Sequence, residues 1–511
     1  MPPASSRRRR RAMFSARRLI ASTVALGLAG SAPANAGSVD AVCASLAGPG
    51  VKAMAQKGSC RVTGELRPVP GSQIGFALWL PPEAAWTGRM VMLGNGGYSS
   101  RLPEAAMGAE LARGSAVVAT DTGHQGDGPE FARGRPQTIV DWGWRAVHLT
   151  AITARTIISR FYGRGPRYRY FNGCSTGGHQ AMTEAQRFPL DFDGIVAGAP
   201  GAARVRLNAG FLWQYLSNHP RGDDLHAILD RSDLALLQET SIGACRAANG
   251  GPAGGLAGDA WLNNPMLCRF DPSVLGCPAG VVAGKCLSSG KIAAARAMYA
   301  GATDPRTGVR VTTPWLPGSE AGWAAYLAEP GQPNQPARTD FWRIWAFSDA
   351  TWSPWRFDFG RDLATAYRRL SPTIDATSPA LSRFHAAGGK LLQYHGLADP
   401  VVSPLDSTGY YATVAARGPT RDWYRLFLAP GMAHCGGGPG FSRFNTQVAI
   451  ERWVETGSAP DRMIARQTDL NQTAERPLCP YPARAVFVGA NPTNASSFAC
   501  RPSGRISETI K

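Results

Sequence analysis

The chain has 511 residues, of which 44% are hydrophobic and 18% are charged. This composition excludes an intrinsically disordered chain and allows more than one domain. The formal net charge is +18 at pH 7, but no basic run occurs after the N-terminal segment, so the charge does not indicate a nucleic-acid partner.

The N-terminal segment, residues 1–36, has the pattern of a secretory signal peptide. Five consecutive arginines precede an apolar run at 19–29 and an Ala-Asn-Ala cleavage site at 34–36. That run is too short to cross a membrane, and no later stretch has the roughly 18 apolar residues a span needs. Arg17 and Arg18 leave a twin-arginine signal open. We predict a secreted or periplasmic protein whose mature chain has 47 basic and 36 acidic residues, a net charge of +11.

All ten cysteines follow this segment, and an even number of cysteines in an exported chain indicates disulfides. The connectivity does not follow from the sequence. Four local pairs are plausible: Cys43 with Cys60, Cys245 with Cys268, Cys277 with Cys286, and Cys479 with Cys500. The two cysteines outside these pairs are Cys174 and Cys435. Zinc binding is the alternative, but no C-x-x-C pair or matching histidine cluster supports it.

Short apolar strands alternate with helical stretches through the first part of the mature chain. Strands are predicted at 74–80, 89–93, 117–120, 168–171 and 194–200, and helical spacing covers 142–162. Strands that alternate with helices predict an α/β fold, with a mainly parallel sheet covered on both faces.

The alternation stops near residue 203 and resumes near residue 378. The intervening segment, 203–377, is rich in Gly and Pro and holds eight of the 14 tryptophans. We predict that it is an inserted lid domain. Strands at 390–394 and 424–428 and a helix at 448–455 complete the pattern, so 37–202 and 378–511 are predicted to form one catalytic domain.

Residues 173–177 read Gly-Cys-Ser-Thr-Gly, which matches the G-x-S-x-G nucleophile elbow. An aromatic strand precedes the pattern and a helix follows it, as the elbow requires. The serine must stand on a strained turn at a helix N-terminus, where free N–H groups can stabilise an oxyanion. The alternative is a glycine-rich turn of some other α/β protein.

Ser175, Asp399 and His434 follow the chain order of an α/β-hydrolase triad: an elbow serine, an acid after a later strand, and a histidine after the last strand. Ser175 would attack an ester, His434 would transfer its proton, and Asp399 would orient the imidazole. Asp406 competes with Asp399 but lies further from its strand. Three other histidines lie near predicted site loops: His124, His179 and His395.

The oxyanion hole is predicted to use the backbone N–H groups of Thr176 and of Gly97, in a loop after an early strand. Gly96 is the competing donor, and the loop glycines alternatively serve only the turn. Cys174 precedes the nucleophile and Cys435 follows the base, so a triad would bring the two cysteines together. We predict that a disulfide between them holds the Ser–His geometry.

Four motifs resemble the tannase/feruloyl esterase family: GCSTGG at 173–178, DFDGIVAGAP at 191–200, GMAHC at 431–435 and LCPYP at 478–482. The resemblance extends over nearly all of the mature chain. It implies an α/β-hydrolase core with a large lid, a disulfide between the catalytic loops, and hydrolysis of esters of aromatic carboxylic acids. The family includes tannases, feruloyl esterases and hydrolases of mono(2-hydroxyethyl) terephthalate.

The resemblance also implies a calcium loop in the lid, at 245–268. Here Asp259 is the only acid, and Arg246 stands where an acid would be expected. Because calcium takes several hard oxygen ligands, we predict a site that has lost most of its acidic ligands, and no required metal or cofactor.

Residues 341–348 resemble the segment that gives terephthalate monoester hydrolases an arginine for the free carboxylate beside a Phe-Ser pair. Arg343, Phe347 and Ser348 are therefore candidate substrate contacts. The alternative for Arg343 is a structural pairing with Asp349 or Asp358. His395, next to a predicted site loop, is a further candidate for the pocket lining.

We therefore predict a secreted serine esterase that acts on a small aromatic ester of feruloyl or galloyl type. Terephthalate monoesters are the alternative substrates. A non-catalytic binding protein on the same fold, or a peptidase with the same triad, would be an alternative of another class. The oligomeric state stays open.

Overall fold

The computed structural model describes residues 39–247, 253–256, 258–278, 285–327, 339–467 and 474–502. The predicted signal peptide lies outside the described residues. Among the helices of the described ranges, none is both long enough and apolar enough to span a bilayer.

Nine strands form the central sheet of the described chain, in the order β1-β2-β3-β5-β4-β6-β7-β8-β9. The strands are β1 (Val51–Gln56), β2 (Ser59–Leu66), β3 (Ile74–Leu80), β4 (Arg89–Leu93), β5 (Ala116–Thr120), β6 (Tyr168–Cys174), β7 (Gly194–Gly198), β8 (Lys390–Gly396) and β9 (Tyr424–Ala429). The pairs from β5 to β9 are parallel, whereas β1, β2 and β3 add an antiparallel edge.

The α-helices of the described residues are α1 (Val39–Ala44), α2 (Glu104–Ala112), α3 (Pro136–Val140), α4 (Ala146–Tyr162), α5 (Thr176–Arg187), α6 (Arg204–Ser217), α7 (Arg231–Ala247), α8 (Ser289–Ala300), α9 (Arg361–Ile374), α10 (Ser382–Ala386), α11 (Pro404–Ala415) and α12 (Thr446–Thr456). Two π-helical turns interrupt this pattern, at Asp141–Arg145 and Phe341–Ala346.

The centre of the sheet is buried on both faces. Every residue of β5 and of β7 is buried, because parallel strands in this architecture have helices on each side. One hydrophobic cluster joins strand residues such as Met90 and Ile195 to residues of α4 and α5, and a second joins Val91 and Val196 to α12. The predicted α/β-hydrolase class with a mainly parallel sheet is confirmed.

The predicted lid segment leaves the core after β7 and returns before β8, and these two strands are neighbours in the sheet. The described residues of 203–377 add no strand to the central sheet. Residues 39–511 form one unit by their internal contacts. The boundaries proposed for the lid remain a prediction.

Two parts of the fold were not predicted from the sequence. The antiparallel edge strands β1 and β2 precede the first strand that we expected. The C-terminal part forms a three-stranded sheet of β10 (Phe441–Arg443), β11 (Met463–Gln467) and β12 (Glu475–Leu478), and a hairpin of β13 (Ala483–Phe487) and β14 (Phe498–Pro502).

All ten cysteines are paired in disulfides. The four local pairs are those expected, and the fifth joins the two cysteines that these pairs left over. The zinc alternative is therefore wrong for these residues, since a sulfur in a disulfide is not a thiolate ligand.

Candidate active site

Ser175 stands on the turn between β6 and α5, in a conformation that few non-glycine residues adopt. Its φ is 62° and its ψ is −115°. The turn is held from both sides: the Ser175 N–H donates to the Gly198 carbonyl at 2.9 Å, and the His179 N–H donates to the Ser175 carbonyl at 2.9 Å. These bonds stabilise a backbone conformation whose strain costs about 1–3 kcal/mol.

The glycines beside Ser175 are required by the close approach of neighbouring chain segments. A Cβ atom on Gly178 would lie 2.2 Å from the Gly198 carbonyl oxygen, and one on Gly173 would lie 2.6 Å from the Gly177 carbonyl carbon. Backbone atoms cannot move away from such a contact without shifting β7 or α5, so the elbow pattern follows from packing.

Ser175, His434 and Asp399 lie in one hydrogen-bonded line. The Ser175 Oγ is 2.8 Å from His434 Nε2, and His434 Nδ1 is 2.7 Å from Asp399 Oδ2. His434 lies in the loop after β9, and Asp399 in the loop after β8. With Nδ1–H donating to the carboxylate, Nε2 can accept the serine proton, which is the arrangement that activates a serine hydroxyl.

The Asp399 carboxylate is fully buried, with a side-chain exposure of 0%. Burial alone would raise its pKa, but hydrogen bonds from His395 and His434 outweigh the burial, and the pKa of Asp399 falls below its ordinary value. Its other oxygen, Oδ1, accepts the backbone N–H groups of Val401 at 2.8 Å and Val402 at 3.0 Å. The carboxylate therefore stays ionised and fixed in orientation.

The prediction that His395 lines the pocket is wrong. Its side chain has no exposed surface, because its ring points from the end of β8 into the core behind Asp399. Its Nε2 is 3.2 Å from Asp399 Oδ2 and its Nδ1 is 2.6 Å from Ser407 Oγ. The competing Asp406 pairs with Arg206 at 2.7 Å.

The other two candidate histidines are occupied elsewhere. His124 is 2.7 Å from the Tyr98 carbonyl through Nε2 and stacks on Phe131, and burial lowers its pKa. His179 is fully buried, with Nε2 2.7 Å from the Ile374 carbonyl, and burial lowers its pKa to about 3. Such rings support the fold and are not positioned as a base.

The loop after β4 packs directly on the start of α5, where the oxyanion donors were predicted. A Cβ on Gly94 would lie 2.7 Å from the Gly177 Cα, and the Asn95 N–H donates to Gln180 Oε1 at 3.1 Å. Gly97 is exposed and has a φ of 53°, a region that favours glycine. Thr176 is the first residue of α5, so its N–H has no partner within the helix.

A disulfide joins the residue before Ser175 to the residue after His434. The Cα atoms of Cys174 and Cys435 are 5.9 Å apart, although 261 positions separate them in the chain. Cys435 also has a positive φ, 64°. The bond thus links two strained loops that each carry one member of the hydrogen-bonded line.

The predicted substrate residues lie on a π-helical turn and directly after it. The Arg343 side chain is one-third exposed; its Nε donates to the Trp352 carbonyl at 3.1 Å, and its Nη1 is 3.7 Å from Asp340 Oδ1. The alternative partners Asp349 and Asp358 were therefore wrong, since Asp340 is the carboxylate in reach.

Phe347 and Ser348 directly follow the π-helical turn. Phe347 stacks on Trp342, with ring centroids 6.1 Å apart, and on Trp352, at 5.8 Å. Ser348 has a φ of 54°, which is a strained conformation for a serine. Strain of this kind and π-helical turns both concentrate at functional sites.

An aromatic cluster connects this π-helical turn with the two site loops. Trp345 contacts Tyr98, next to Gly97, at 5.4 Å between ring centroids, and Trp142 at 5.2 Å. Trp142 in turn stacks on His179 of α5 at 5.4 Å. The predicted lid segment is thereby packed against the elements that carry the predicted oxyanion donors.

Sequence reasoning missed Arg204, the first residue of α6. It is buried, its Nη2 donates to Thr176 Oγ1 at 2.9 Å, and its guanidinium lies 5.0 Å from the Trp142 ring. Burial lowers its pKa. The available signal was its position directly after the small, apolar stretch at 199–203, close to the elbow motif.

The described part of the predicted calcium loop does not fit a calcium ion. Asp259 Oδ1 is 3.2 Å from Arg476 Nη2, Asp259 Oδ2 accepts the Leu256 N–H, and Arg246 donates to the Asp259 carbonyl oxygen. A lone carboxylate between two guanidinium groups lacks the several hard oxygen ligands that calcium takes. Residues 248–252 and 257 of the loop lie outside the described residues.

Comparison with known proteins agrees with this architecture. A family model described as tannase and feruloyl esterase matches residues 60–501. An uncharacterized esterase of Xanthomonas campestris is 34% identical over 500 residues, covering 87% of this chain and 85% of its own. The mono(2-hydroxyethyl) terephthalate hydrolase of Piscinibacter sakaiensis is 32% identical over 520 residues, covering 86% and 84%.

The fold is also similar to that of a solved structure. The crystal structure of feruloyl esterase B from Aspergillus oryzae matches with a TM-score of 0.80 and 26% identity, over 91% of this chain and 100% of that chain. Since the family model and the relatives each cover most of the chain, this protein belongs to the tannase and feruloyl esterase family and is a carboxylic ester hydrolase.

Proposed function

We propose that this protein hydrolyses esters of aromatic carboxylic acids, of feruloyl or galloyl type, through Ser175, His434 and Asp399. The supporting observation is the hydrogen-bonded line from Ser175 Oγ through His434 to the buried Asp399 carboxylate. The substrate class is supported by the relatives, whose names include feruloyl esterase and terephthalate monoester hydrolase.

The proposed reaction has two halves. In the first, His434 Nε2 takes the Ser175 proton while Oγ attacks the ester carbonyl, and the N–H groups of Thr176 and Gly97 stabilise the oxyanion. His434 then returns the proton to the leaving alcohol, so that an acyl-enzyme remains. In the second half, His434 takes a proton from water while the water oxygen attacks the acyl carbon. His434 then returns this proton to Ser175 Oγ as the acyl–oxygen bond breaks and the acid leaves.

We also propose that the protein works outside the cytoplasm. The predicted signal peptide and the five disulfides support this, because such bonds persist in oxidising compartments. Mass spectrometry of the protein from the periplasm or medium of an expressing bacterium is expected to give an N-terminus at Gly37.

A terephthalate monoester is the second candidate substrate. One observation favours it: Arg343 lies on the π-helical turn whose Trp345 packs beside the oxyanion loop. A guanidinium can bind the distal carboxylate of such a substrate with two parallel hydrogen bonds. Its present bonds to Trp352 and Asp340 favour a structural role instead.

The experiment that tests the function is acid release from three esters: methyl ferulate, methyl gallate and mono(2-hydroxyethyl) terephthalate. We expect release by the wild type and none by Ser175→Ala, with a phosphonate labelling Ser175 as seen by peptide mass spectrometry. Labelling without cleavage of any ester would contradict the substrate class. Neither labelling nor cleavage would favour a binding protein on this fold.

Replacing Arg343 with alanine distinguishes its two roles. If it binds the distal carboxylate, KM for the terephthalate monoester is expected to rise about 10- to 100-fold, with methyl ferulate unchanged, because one charge-assisted pair is lost. The exposed lid residue Arg356 provides the control for net charge, as Arg356→Ala. Equal losses on both esters would establish the structural role.

Removing calcium is expected to have no effect, because the described carboxylate of the lid loop is already neutralised by Arg476. We expect dialysis against EGTA to leave both Tm and kcat unchanged. Adding calcium at about 1–10 mM, which would fill even weak protein calcium sites, should also leave Tm unchanged, because an ion raises Tm only when it binds the folded state. A Tm that follows calcium would contradict this proposal.

A further inference from the structure

A second histidine contacts the acid of the proposed triad from inside the core. His395 Nε2 is 3.2 Å from Asp399 Oδ2, the same oxygen that accepts from His434. It is also 2.9 Å from the Val402 carbonyl oxygen. The pocket-lining role predicted from the sequence is wrong for this ring, and the proposed chemistry assigns it no other.

The other side of the ring ends a chain of buried hydrogen bonds. Tyr424 OH donates to Gln393 Oε1, Gln393 Nε2 donates to Ser407 Oγ at 2.7 Å, and Ser407 Oγ is 2.6 Å from His395 Nδ1. All of these side chains are 0–1% exposed. A fully satisfied buried network of this kind fixes the position of each member.

The direction of the chain determines which ring nitrogen of His395 carries the proton. Ser407 Oγ already accepts from the Gln393 amide, so its own proton goes to His395 Nδ1, and the ring proton lies on Nε2. The reversed chain, with the Gln393 amide turned over, would leave Nε2 bare against two acceptors, the Val402 carbonyl and the Asp399 carboxylate. That arrangement is unfavourable, because buried acceptors without a donor destabilise the fold.

We propose that His395 is a positioning residue: as a neutral ring protonated on Nε2, oriented by Ser407, it donates to Asp399 Oδ2 and holds this carboxylate ionised and in line with His434. The inference rests on the proposed triad and adds a residue that acts on it through Asp399. Asp399 Oδ1 accepts from two backbone N–H groups, and Oδ2 accepts from His434. The same Oδ2 lies 3.2 Å from His395 Nε2, whose single proton is shared with the Val402 carbonyl oxygen at 2.9 Å.

This arrangement affects the proton balance of the reaction. Two histidines, His395 and His434, are the ionisable groups that act on Asp399. A donor on Oδ2 makes the carboxylate less basic, so it stabilises the His434 imidazolium without taking its proton. Without His395, Asp399 would be a stronger base and would stabilise the protonated form of His434 more strongly.

The test compares two substitutions at one position. His395→Leu removes the donor, whereas His395→Gln keeps an N–H for Asp399 and an oxygen for Ser407. For His395→Leu we expect kcat to fall about 10- to 100-fold with little change in KM, since one hydrogen bond to a charged group is lost. The acid limb of kcat/KM is expected to move to higher pH by about half a unit or more. The glutamine variant should retain most of both properties.

Ser407→Ala tests the orienting step without touching Asp399. It should reduce kcat in the same direction but less than His395→Leu. Thr408→Val is the matched control, because it removes a hydroxyl from the same helix whose partner among the described residues is the Leu405 carbonyl. It should leave kcat and the pH profile unchanged.

Nitrogen-15 NMR of the wild type provides a measurement independent of folding. His124 and His179 also have Nε2 on a carbonyl oxygen, so the signal is assigned by difference: we expect the ring signal that His395→Gln removes to be that of an imidazole protonated on Nε2. A proton on Nδ1, or a His395→Leu variant with wild-type kcat and an unmoved acid limb, would overturn the proposal. Residual cleavage by Ser175→Ala would instead overturn the proposed triad itself, so the two failures are distinguishable.

Discussion

Replacing Ser175 with alanine is expected to lower kcat by about 10⁴- to 10⁶-fold on whichever aromatic ester proves best, because no other group supplies the attacking oxygen. The side chain removed is one hydroxyl on a turn that its backbone bonds already hold. Tm should therefore change little. Kinetics of acid release and a thermal melt of the same preparation measure both quantities.

The companion variant shows whether the three residues act as one unit. In a triad, the double variant Ser175→Ala/His434→Ala should be about as inactive as either single variant, because each removes the same reaction path. Losses that multiply instead would indicate separate roles for Ser175 and His434. A Ser175→Ala enzyme that keeps activity within about 100-fold of the wild type would refute the proposed nucleophile.

Removing the disulfide between the two site loops is expected to have the second largest effect. Cys174→Ala/Cys435→Ala should lose about 2–5 kcal/mol of stability. It should also lose about 10- to 100-fold in kcat per folded site, because small displacements of reacting groups are costly. Both bonded loops carry a non-glycine residue at positive φ, Ser175 at 62° and Cys435 at 64°, and the bond opposes their relaxation.

The control is a disulfide of the lid. Cys277→Ala/Cys286→Ala opens a loop with a sequence separation of only 9, and it should lower Tm without lowering kcat. Titration with a phosphonate counts the folded sites in each variant, so loss of fold is separated from loss of geometry. If the two double variants lose kcat equally, the special role of Cys174–Cys435 is refuted.

Short sequence motifs were sufficient to predict the parts of the molecule whose structure depends on neighbouring residues in the chain. The elbow at Ser175 needs glycines on both sides, and that requirement is visible in five consecutive residues. Fully buried strands such as β5 and β7 are continuous apolar runs, so their positions could also be predicted. The order of Ser175, Asp399 and His434 along the chain follows from how a parallel sheet of this type is wound.

What the sequence could not give were contacts between distant segments. His395 lies near the end of a strand, which suggests a site residue, but strand neighbours point to opposite faces and only the fold shows which. Arg343 pairs with Asp340, three residues earlier, as neighbours on a helical turn do; the sequence did not show which of the nearby carboxylates this would be. The strands β1 and β10 to β14 are short and half-exposed, so they lack a strong apolar pattern.

The place where the predicted lid segment is inserted has a consequence for how this fold can vary. The segment leaves at the end of β7 and returns at the start of β8, and these strands pair with each other, for example Gly198 with Tyr394. The sheet fixes both ends of the segment whatever its length. Lengthening the segment adds little to the entropic cost of bringing its two ends together. The predicted lid segment can thus be lengthened, shortened or exchanged while the sheet beneath the elbow keeps its register.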